Sequence, residues 1–268
     1  MEEKIIRIYT HRGGPVACPP GNTIAAFKKT IELEADGLEC DLRFTKDGVP
    51  IICHYNHLKQ FLGEDSALST LKVSELSWKE IRKLAPEVPH LNELMSFLRY
   101  NKTIAFIELK ENTKEIVDVV IEGMKRFDVP FNRVVLLASY MPTPLDIKSS
   151  KDQLIYAKSI EPRIQTSVMA LFPICLRLVA KKSQADSISF GWLDGVRFSR
   201  TIFMAFVKIV NLSRQIKRVQ QMGVEVIGGT INQKEDIRWM LEQGVDSIFT
   251  DDLVAAQEVV TEFKKTQS

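Results

Sequence analysis

Ionisable residues that could carry out acid–base or metal chemistry stand in, or directly after, short apolar segments. His11 follows one such segment and His54 ends another. Glu39 and Asp41 stand two apart in a third segment, and Glu108 stands in a fourth. Residues two apart on a strand share one face, so the carboxylates of Glu39 and Asp41 are expected side by side. Two adjacent carboxylates repel each other and stay ionised together only beside a cation.

A convergence of three carboxylates predicts a metal site of a particular kind. Ligation by oxygen alone favours a hard cation, Mg²⁺ or Ca²⁺, over zinc. We therefore predict Glu39, Asp41 and Glu108 as ligands of one divalent cation. The alternative is a salt-bridge network between these carboxylates and the cations of the strand ends. Those cations are Arg12, Arg43 and Lys110.

Histidines and cations complete the pattern. His11 and His54 are the predicted acid and base, because imidazole titrates near neutral pH. Arg12 suits bidentate phosphate binding, and Lys110 acts as a point charge. A metal, two histidines and two cations together indicate phosphoester chemistry. For Lys110 the alternative is a partner for Glu108 alone.

The segments that carry these residues alternate with segments of helical period. Strands are predicted at 5–10, 37–43, 49–54, 104–110, 133–138, 153–158, 186–190, 223–228 and 245–250. Helices are predicted at 22–35, 74–85, 90–101, 113–127, 142–150, 163–182, 199–221, 233–243 and 252–264. Apolar strands that alternate with helices predict a parallel sheet covered on both faces.

Nine strands are one more than an eight-stranded barrel needs. Only residues 45–48 separate the second strand from the third, whereas a parallel crossover takes about a dozen residues. These two strands are therefore predicted to form an antiparallel hairpin with Asp-Gly in its turn. His54 would face the pocket of Glu39 and Asp41 only if odd positions opposed even ones across this hairpin.

The other eight strands predict an α/β fold, a (β/α)₈ TIM barrel. Catalytic groups of such barrels stand at the carboxyl ends of the strands. The hairpin on the second strand is followed by an insertion at about 55–88. Since no linker or repeat interrupts the chain, we predict a single domain over 1–268.

Composition excludes several classes of protein. The chain has 268 residues, of which 45% are hydrophobic and 26% charged, values that exclude a disordered chain, a collagen or a disulfide miniprotein. A net charge of +2 gives no case for a nucleic-acid partner. Neither a signal peptide nor a membrane-spanning stretch is expected. The four cysteines show no CxxC spacing and are expected as reduced thiols, which favours a cytoplasmic location.

Positive charge is concentrated in one part of the chain. Residues 140–220 contain thirteen Lys or Arg against five Asp or Glu. Solvated helix faces are the favoured interpretation of this excess. A surface that attracts anionic lipid is the alternative, and it leaves weak peripheral membrane contact open.

The ordered motifs resemble those of the glycerophosphodiester phosphodiesterase family, along nearly the whole chain. They are His11-Arg12-Gly13, Asn22-Thr23, Glu39-Cys40-Asp41, the segment 45–50, His54, Glu108-Leu109-Lys110 and the distal segments 223–232 and 244–251.

This resemblance implies a barrel with a small insertion and one bound divalent cation. It implies that the three carboxylates bind the metal, that the two histidines exchange protons, and that Arg12 and Lys110 hold the phosphate. The implied reaction cleaves a glycerophosphodiester to sn-glycerol 3-phosphate and an alcohol. In it the substrate's own glycerol hydroxyl attacks phosphorus, and the metal acidifies that hydroxyl.

Four positions depart from the family's pattern. Gly21 stands where the family has glutamate, Tyr55 where aspartate follows the second histidine, and Gly229 where the family has tryptophan. An arginine expected within 56–63 is absent. The departures leave the metal-and-histidine core intact and bear on the head group that the site accepts.

Two alternatives to this function remain. One is a phospholipase D-like activity on lysophospholipids, whose acyl chain would meet apolar residues of the insertion, Leu58, Phe61 and Leu62. The other is a non-catalytic barrel that binds a phosphorylated ligand, suggested by Gly21 and Tyr55.

Overall fold

A ring of parallel strands forms the centre of the molecule. The structure, a computed structural model, describes residues 5–63, 66, 68, 70–140, 151–170, 173, 176–192 and 197–267. Its strands are β1 (Arg7–Thr10), β2 (Gly37–Phe44), β3 (Pro50–Ile52), β4 (Ile104–Leu109), β5 (Val134–Tyr140), β6 (Gln165–Ala170), β7 (Ser187–Phe190), β8 (Glu225–Gly228) and β9 (Ser247–Thr250). All except β3 pair in parallel, and β1 pairs with β2 to close the ring. The predicted (β/α)₈ TIM barrel is confirmed.

Helices cover the outside of this ring. They are α1 (Ile24–Glu32), α2 (Lys59–Leu62), α3 (Trp78–Leu84), α4 (Leu91–Tyr100), α5 (Glu115–Arg126), α6 (Lys151–Ile160), α7 (Leu176–Ser183), α8 (Ser199–Ile209), α9 (Leu212–Gln220), α10 (Lys234–Gln243) and α11 (Leu253–Gln267). A continuous apolar core lies between the outward faces of the strands and the inner faces of the helices. Because each crossover helix runs antiparallel to its strands, the helices begin at the carboxyl end of the barrel.

The sixth strand was predicted in the wrong place. Residues 153–158 lie inside α6, and the true strand, β6, lies inside the predicted helix 163–182. Leu154 and Ala157 are buried at a spacing of three, as on a helix face. A run of six residues does not separate this period from that of a strand. β6 in turn buries a polar residue, Thr166, which weakens its strand pattern.

The predicted helix 199–221 is in fact two helices, α8 and α9. The helix is interrupted at Val210 and Asn211. There the Asn211 side chain accepts a hydrogen bond of 2.9 Å from the backbone N–H of Arg214. Asparagine in this position is a favourable helix N-cap. The helix predicted at 142–150 lies outside the described residues.

The predicted hairpin is confirmed, but its register differs from the expected one. β3 runs antiparallel to β2, outside the ring, and Gly48 of the turn has a φ of 74° that favours glycine. Leu42 opposes Ile52. Residues of equal parity therefore face each other, and the expectation that odd positions oppose even ones is wrong.

Aromatic side chains form the floor of the site inside the barrel. The rings of Tyr9, Phe106 and Phe249 contact one another, with centroids 4.7–5.6 Å apart. Two residues further along the same strands stand His11, Glu108 and Asp251. Because residues two apart share a face, these ionisable groups form the next layer of the interior, toward the carboxyl ends of the strands.

The insertion at 55–88 has a small apolar core of its own. Leu58, Val73 and Ile81 are fully buried there, packed with Ile51 of the hairpin. This packing fastens the insertion to β3, and so fixes the path of the chain where it leaves that strand.

Candidate active site

Three carboxylates meet at the carboxyl ends of β2 and β4. Asp41 pairs in register with Glu108 across these parallel strands, and Glu39 lies two residues earlier on the same face of β2. One carboxylate oxygen from each residue lies within 4.8 Å of the others, and all three residues are buried. The structure thus brings together the three residues predicted as metal ligands.

The surrounding charges compensate these carboxylates unevenly. Lys110 Nζ lies 2.9 Å from Asp41 Oδ1 and 2.7 Å from Glu108 Oε1. Burial alone would raise the pKa of Asp41, but Lys110 and the other nearby cations hold it below its ordinary value. For Glu39, burial and then the charge of Asp41 raise the pKa. The carboxylate of Glu39 is therefore the one whose negative charge is left without sufficient compensation.

The donor set fits a divalent cation better than a salt-bridge network. Glu39 Oε1 is buried and accepts no hydrogen bond within the described part of the chain, although a buried polar atom without a partner is costly. Lys110 is shared between Asp41 and Glu108, so it does not serve Glu108 alone. A cation among the carboxylates would bind Glu39 Oε1, the oxygen without a hydrogen-bond partner. It would also oppose the repulsion that raises the pKa of Glu39.

Arg43 does not take part in this cluster. Its Nε donates to the carbonyl oxygen of His54 at 3.0 Å, and its Nη1 lies 3.4 Å from Glu111 Oε1. Of the three cations in the predicted network, only Arg12 and Lys110 reach the carboxylates.

The loop after β1 carries Arg12 across the top of β2. Arg12 has a φ of 52°, and its backbone N–H donates to Glu39 Oε2 at 2.9 Å. Its Nε lies 3.5 Å from Asp41 Oδ2. Asn22, which is fully buried, donates from Nδ2 to the same Asp41 oxygen at 2.7 Å. Backbone and side chains of this loop therefore fix the orientation of both carboxylates of β2.

His11 is held by an aspartate that the sequence interpretation did not single out. Its Nδ1 lies 2.8 Å from Asp251 Oδ1, and its Nε2 lies 3.8 Å from Glu39 Oε2. Asn232 donates from Nδ2 to the second oxygen of Asp251 at 2.7 Å. Burial would lower the pKa of His11, but the hydrogen bond with Asp251 and the charge of Glu39 outweigh it, so that pKa is raised.

His54 lies just beyond the end of β3, close enough to Asp41 for that carboxylate to act on its pKa. Burial is the main cause that lowers its pKa, to about 3. The charge of Asp41 opposes this shift, whereas the charges of Lys110 and Arg12 add to it. Its Nδ1 is buried and has no hydrogen-bond partner among the described residues. His54 follows two residues after the last residue of β3, so strand alternation no longer sets its direction, and the unexpected hairpin register does not remove it from the site.

The other two histidines lie outside this arrangement. The ring of His57 stacks on that of Tyr55, with centroids 5.0 Å apart. His90 caps α4, because its Nδ1 accepts a hydrogen bond of 2.8 Å from the backbone N–H of Asn92. His90 is structural, and His57 belongs to the Tyr55 stack.

A buried cluster of carboxylates, two histidines and two cations at the catalytic end of a barrel suits the hydrolysis of a phosphodiester. Comparison with known proteins agrees. Residues 11–255 match the model of the glycerophosphoryl diester phosphodiesterase family. The chain belongs to this family. Its enzyme class follows, that of a phosphoric diester hydrolase acting on glycerophosphodiesters, and the resemblance drawn from the motifs is confirmed.

Individual relatives extend the similarity over nearly the whole chain. A glycerophosphodiester phosphodiesterase of Caldanaerobacter subterraneus is 26% identical, with 91% of this chain and 93% of the relative covered. A lysophospholipase D of Mus musculus is 25% identical, over 92% of this chain and 79% of the relative. A phosphodiesterase of Oleispira antarctica, solved with sn-glycerol 3-phosphate, shares the fold with a TM-score of 0.69 at 18% identity, covering 96% of this chain and 97% of that one.

The structure gives a physical reason for one departure from the family's pattern. Gly21 has a φ of 77°, and a Cβ at this position would lie 2.9 Å from the carbonyl oxygen of Arg12. That carbonyl accepts a hydrogen bond from the backbone N–H of Asn22. Glycine therefore lets the loop close tightly over the site, and the side chain usual in the family has no room in this loop.

Proposed function

We propose that the chain hydrolyses glycerophosphodiesters to sn-glycerol 3-phosphate and an alcohol, with one divalent cation, Mg²⁺ or Ca²⁺, bound by Glu39, Asp41 and Glu108. The observation that carries this proposal is the buried carboxylate cluster, in which Glu39 Oε1 has no hydrogen-bond partner among the described residues. A divalent cation bound there would neutralise the phosphate and lower the pKa of the substrate's glycerol hydroxyl.

The two cations of the site are suited to hold the phosphate. Arg12 Nε is buried and donates no hydrogen bond with acceptable geometry within the described residues, so it is available to a phosphate oxygen. Lys110 adds a positive charge that its two carboxylates maintain: burial would lower its pKa, but Asp41 and Glu108 raise it. Guanidinium and ammonium groups are the usual phosphate partners in proteins.

The two histidines differ in their electrostatic surroundings, and this difference supports separate roles for them. His54 is neutral, because its pKa is lowered, and we assign it as the base that takes the proton of the glycerol hydroxyl. Asp251 stabilises a proton on His11, and we assign His11 as the acid that protonates the departing alcohol oxygen. The bond from the glycerol oxygen to phosphorus forms as the bond to the alcohol breaks. Water then opens the cyclic phosphate with the two roles reversed.

A comparison of two substrates tests this function. The chain should release choline and sn-glycerol 3-phosphate from glycerophosphocholine, and this activity should disappear with a chelator. On lysophosphatidylcholine we expect a lower kcat/KM. Preferred release of lysophosphatidic acid would instead establish the phospholipase D-like activity. Failure on both substrates, with cation present, would favour the non-catalytic alternative.

The insertion gives the lysophospholipid alternative little support. Leu58 is fully buried in the insertion's own core, and Phe61 and Leu62 pack against that core. These three side chains already pack within the insertion, so they do not form an open apolar surface for an acyl chain.

Asp251→Asn should lower kcat by roughly 10- to 100-fold, the usual cost of removing a group that orients a catalytic or metal-binding histidine. The cause is the loss of the charge that holds and stabilises the protonated ring of His11. KM should change little, because Asp251 touches neither predicted phosphate-binding residue. Steady-state rates on glycerophosphocholine measure this effect.

The neighbouring aspartate provides the matched control. Asp252 accepts a hydrogen bond from the backbone N–H of Ala255 in the first turn of α11, and asparagine replaces aspartate well in such a cap. Asp252→Asn should keep near-normal kcat. Equal effects of the two substitutions on kcat would show that Asp251 does not contribute to catalysis through His11.

A further inference from the structure

Helix α8 lies at the catalytic end of the barrel, outside the ring of crossover helices. Its buried Phe203 stacks on Phe190, the last residue of β7, at a centroid distance of 6.2 Å. Trp192 and Trp239 contact the Phe203 ring edge-on, with centroid distances of 5.4 and 6.5 Å. Since Phe190 ends its strand, the helix is anchored beside the mouth of the barrel.

The opposite face of α8 and the residue before it expose a line of apolar side chains. Phe198 is 60% exposed, Ile202 51% and Ile209 79%. Ala205 between them is exposed as well. Spacings of three and four residues place Ile202, Ala205 and Ile209 on one side of the helix, and Phe198 directly precedes its first turn. We call these four residues the α8 stripe.

Cations flank the α8 stripe at both of its ends, since Arg197 precedes Phe198 and Lys208 precedes Ile209. Helices α7, α8 and α9 together carry eight Lys or Arg and no Asp or Glu. All eight are exposed. Arg200 and Lys208 stand on α8 itself, and Arg177 and Arg214 stand in the first turns of α7 and α9, toward the mouth of the barrel. Lys181, Lys182, Lys217 and Arg218 stand in the last turns of α7 and α9, toward the amino-terminal end. Arg200 forms an ion pair with Asp236 of α10. The guanidinium of Arg197 lies 4.7 Å from the centroid of the Phe198 ring, directly at the end of the stripe.

We propose that the α8 stripe and the cations on its own side, Arg177, Arg197, Lys208 and Arg214, dock the mouth of the barrel on an anionic lipid surface. Exposed apolar side chains beside Lys and Arg are the pattern of segments that lie in the interface of a bilayer, and each cation near an anionic leaflet adds attraction. A second copy of the chain is a poorer occupant, because a symmetric interface would bring these cations against their own counterparts.

The docking proposal goes beyond the proposed reaction and does not depend on turnover. No helix of the described residues is long and apolar enough to cross a membrane. The binding would orient the mouth of the barrel toward the lipid.

Vesicle sedimentation tests the proposal. Wild-type protein should bind vesicles of equal parts phosphatidylglycerol and phosphatidylcholine, and bind pure phosphatidylcholine far more weakly. Raising NaCl from about 0.05 M to about 0.5 M should release much of the protein, because salt screens exposed charges. Phe198→Ser/Ile202→Ser should lower the partition coefficient at least about tenfold, since each side chain loses apolar area that lipid would bury.

Tyr100→Ser/Ile160→Ser is the matched control. Both residues end their helices, at the amino-terminal end of the barrel, and are 77% and 42% exposed. This variant should bind like wild type, and both variants should keep the melting temperature and the rate on soluble glycerophosphocholine.

Three outcomes would overturn the proposal. One is no binding of wild type to anionic vesicles, and another is equal loss in the two variants. The third is a dimer of the free protein that Phe198→Ser/Ile202→Ser dissociates, which would make the stripe a contact between copies. Failure of hydrolysis with intact vesicle binding would count against the proposed function alone.

Discussion

Replacing His11 or His54 with alanine should lower kcat on glycerophosphocholine by roughly 10²- to 10⁴-fold, the usual contribution of a general acid or base. Both imidazoles lie at the carboxylate cluster: His11, held by Asp251, has its Nε2 3.8 Å from Glu39 Oε2, and His54 Nδ1 is buried without a hydrogen-bond partner among the described residues. KM should change much less, because the metal, Arg12 and Lys110 are the groups proposed to hold the phosphate. Steady-state kinetics with cation in excess separate the two parameters.

The double variant and a third histidine sharpen this prediction. His11→Ala/His54→Ala should be little slower than either single variant, because groups that act as one catalytic unit are not additive. His57→Ala, which removes only a ring stacked on Tyr55, should retain near-normal turnover. If the single variants at His11 and His54 also retain it, the two-histidine mechanism is wrong.

Glu39→Ala should weaken metal binding and lower activity together. Losing a direct ligand should weaken affinity for the cation at least about 100-fold, beyond the cost of losing an outer partner. Glu39 Oε1 has no hydrogen-bond partner among the described residues, so the proposed cation is the partner that this oxygen would give up, while Oε2 gives up the hydrogen bond from the backbone N–H of Arg12. Calorimetric titration with Mg²⁺ or Ca²⁺ measures the affinity, and high cation concentration should restore part of the rate.

Glu111→Ala is the control for this prediction. Glu111 follows β4 closely, but its carboxylate pairs with Arg43 and stays outside the cluster. Its removal should leave cation affinity unchanged. Should Glu39→Ala bind the cation as wild type does, the cluster is a salt-bridge network after all.

The carboxylate cluster could be predicted because it depends on strand period and parallel order alone. Glu39 and Asp41 share a face by alternation, and Glu108 stands on the next parallel strand of the ring. Asp251 was missed as a site residue for the opposite reason. It is 240 positions from His11, and only closure of the barrel, which pairs β1 with β9, brings the two together. The carboxylate pair Asp251-Asp252 after the last strand was the available signal.

Other errors came from short segments and from turn geometry. The segment 153–158 is only six residues long, and its apolar pattern fits a strand as well as a helix. The burial of Leu154 and Ala157, three residues apart, identifies it as a helix. The hairpin register depends on how the turn at Thr45–Gly48 closes, which composition does not determine. His54 nonetheless lies at the site, since the chain has already left β3 there.

A ³¹P NMR time course with glycerophosphocholine tests the central claim most directly. With Mg²⁺ or Ca²⁺ present, the diester signal should be replaced by that of sn-glycerol 3-phosphate. The conversion should stop when a chelator is added and resume when the cation is restored, and Glu39→Ala should convert nothing at the same cation concentration. Conversion that continues at full rate in chelator, or no formation of sn-glycerol 3-phosphate with either cation, would contradict a metal-dependent glycerophosphodiester phosphodiesterase.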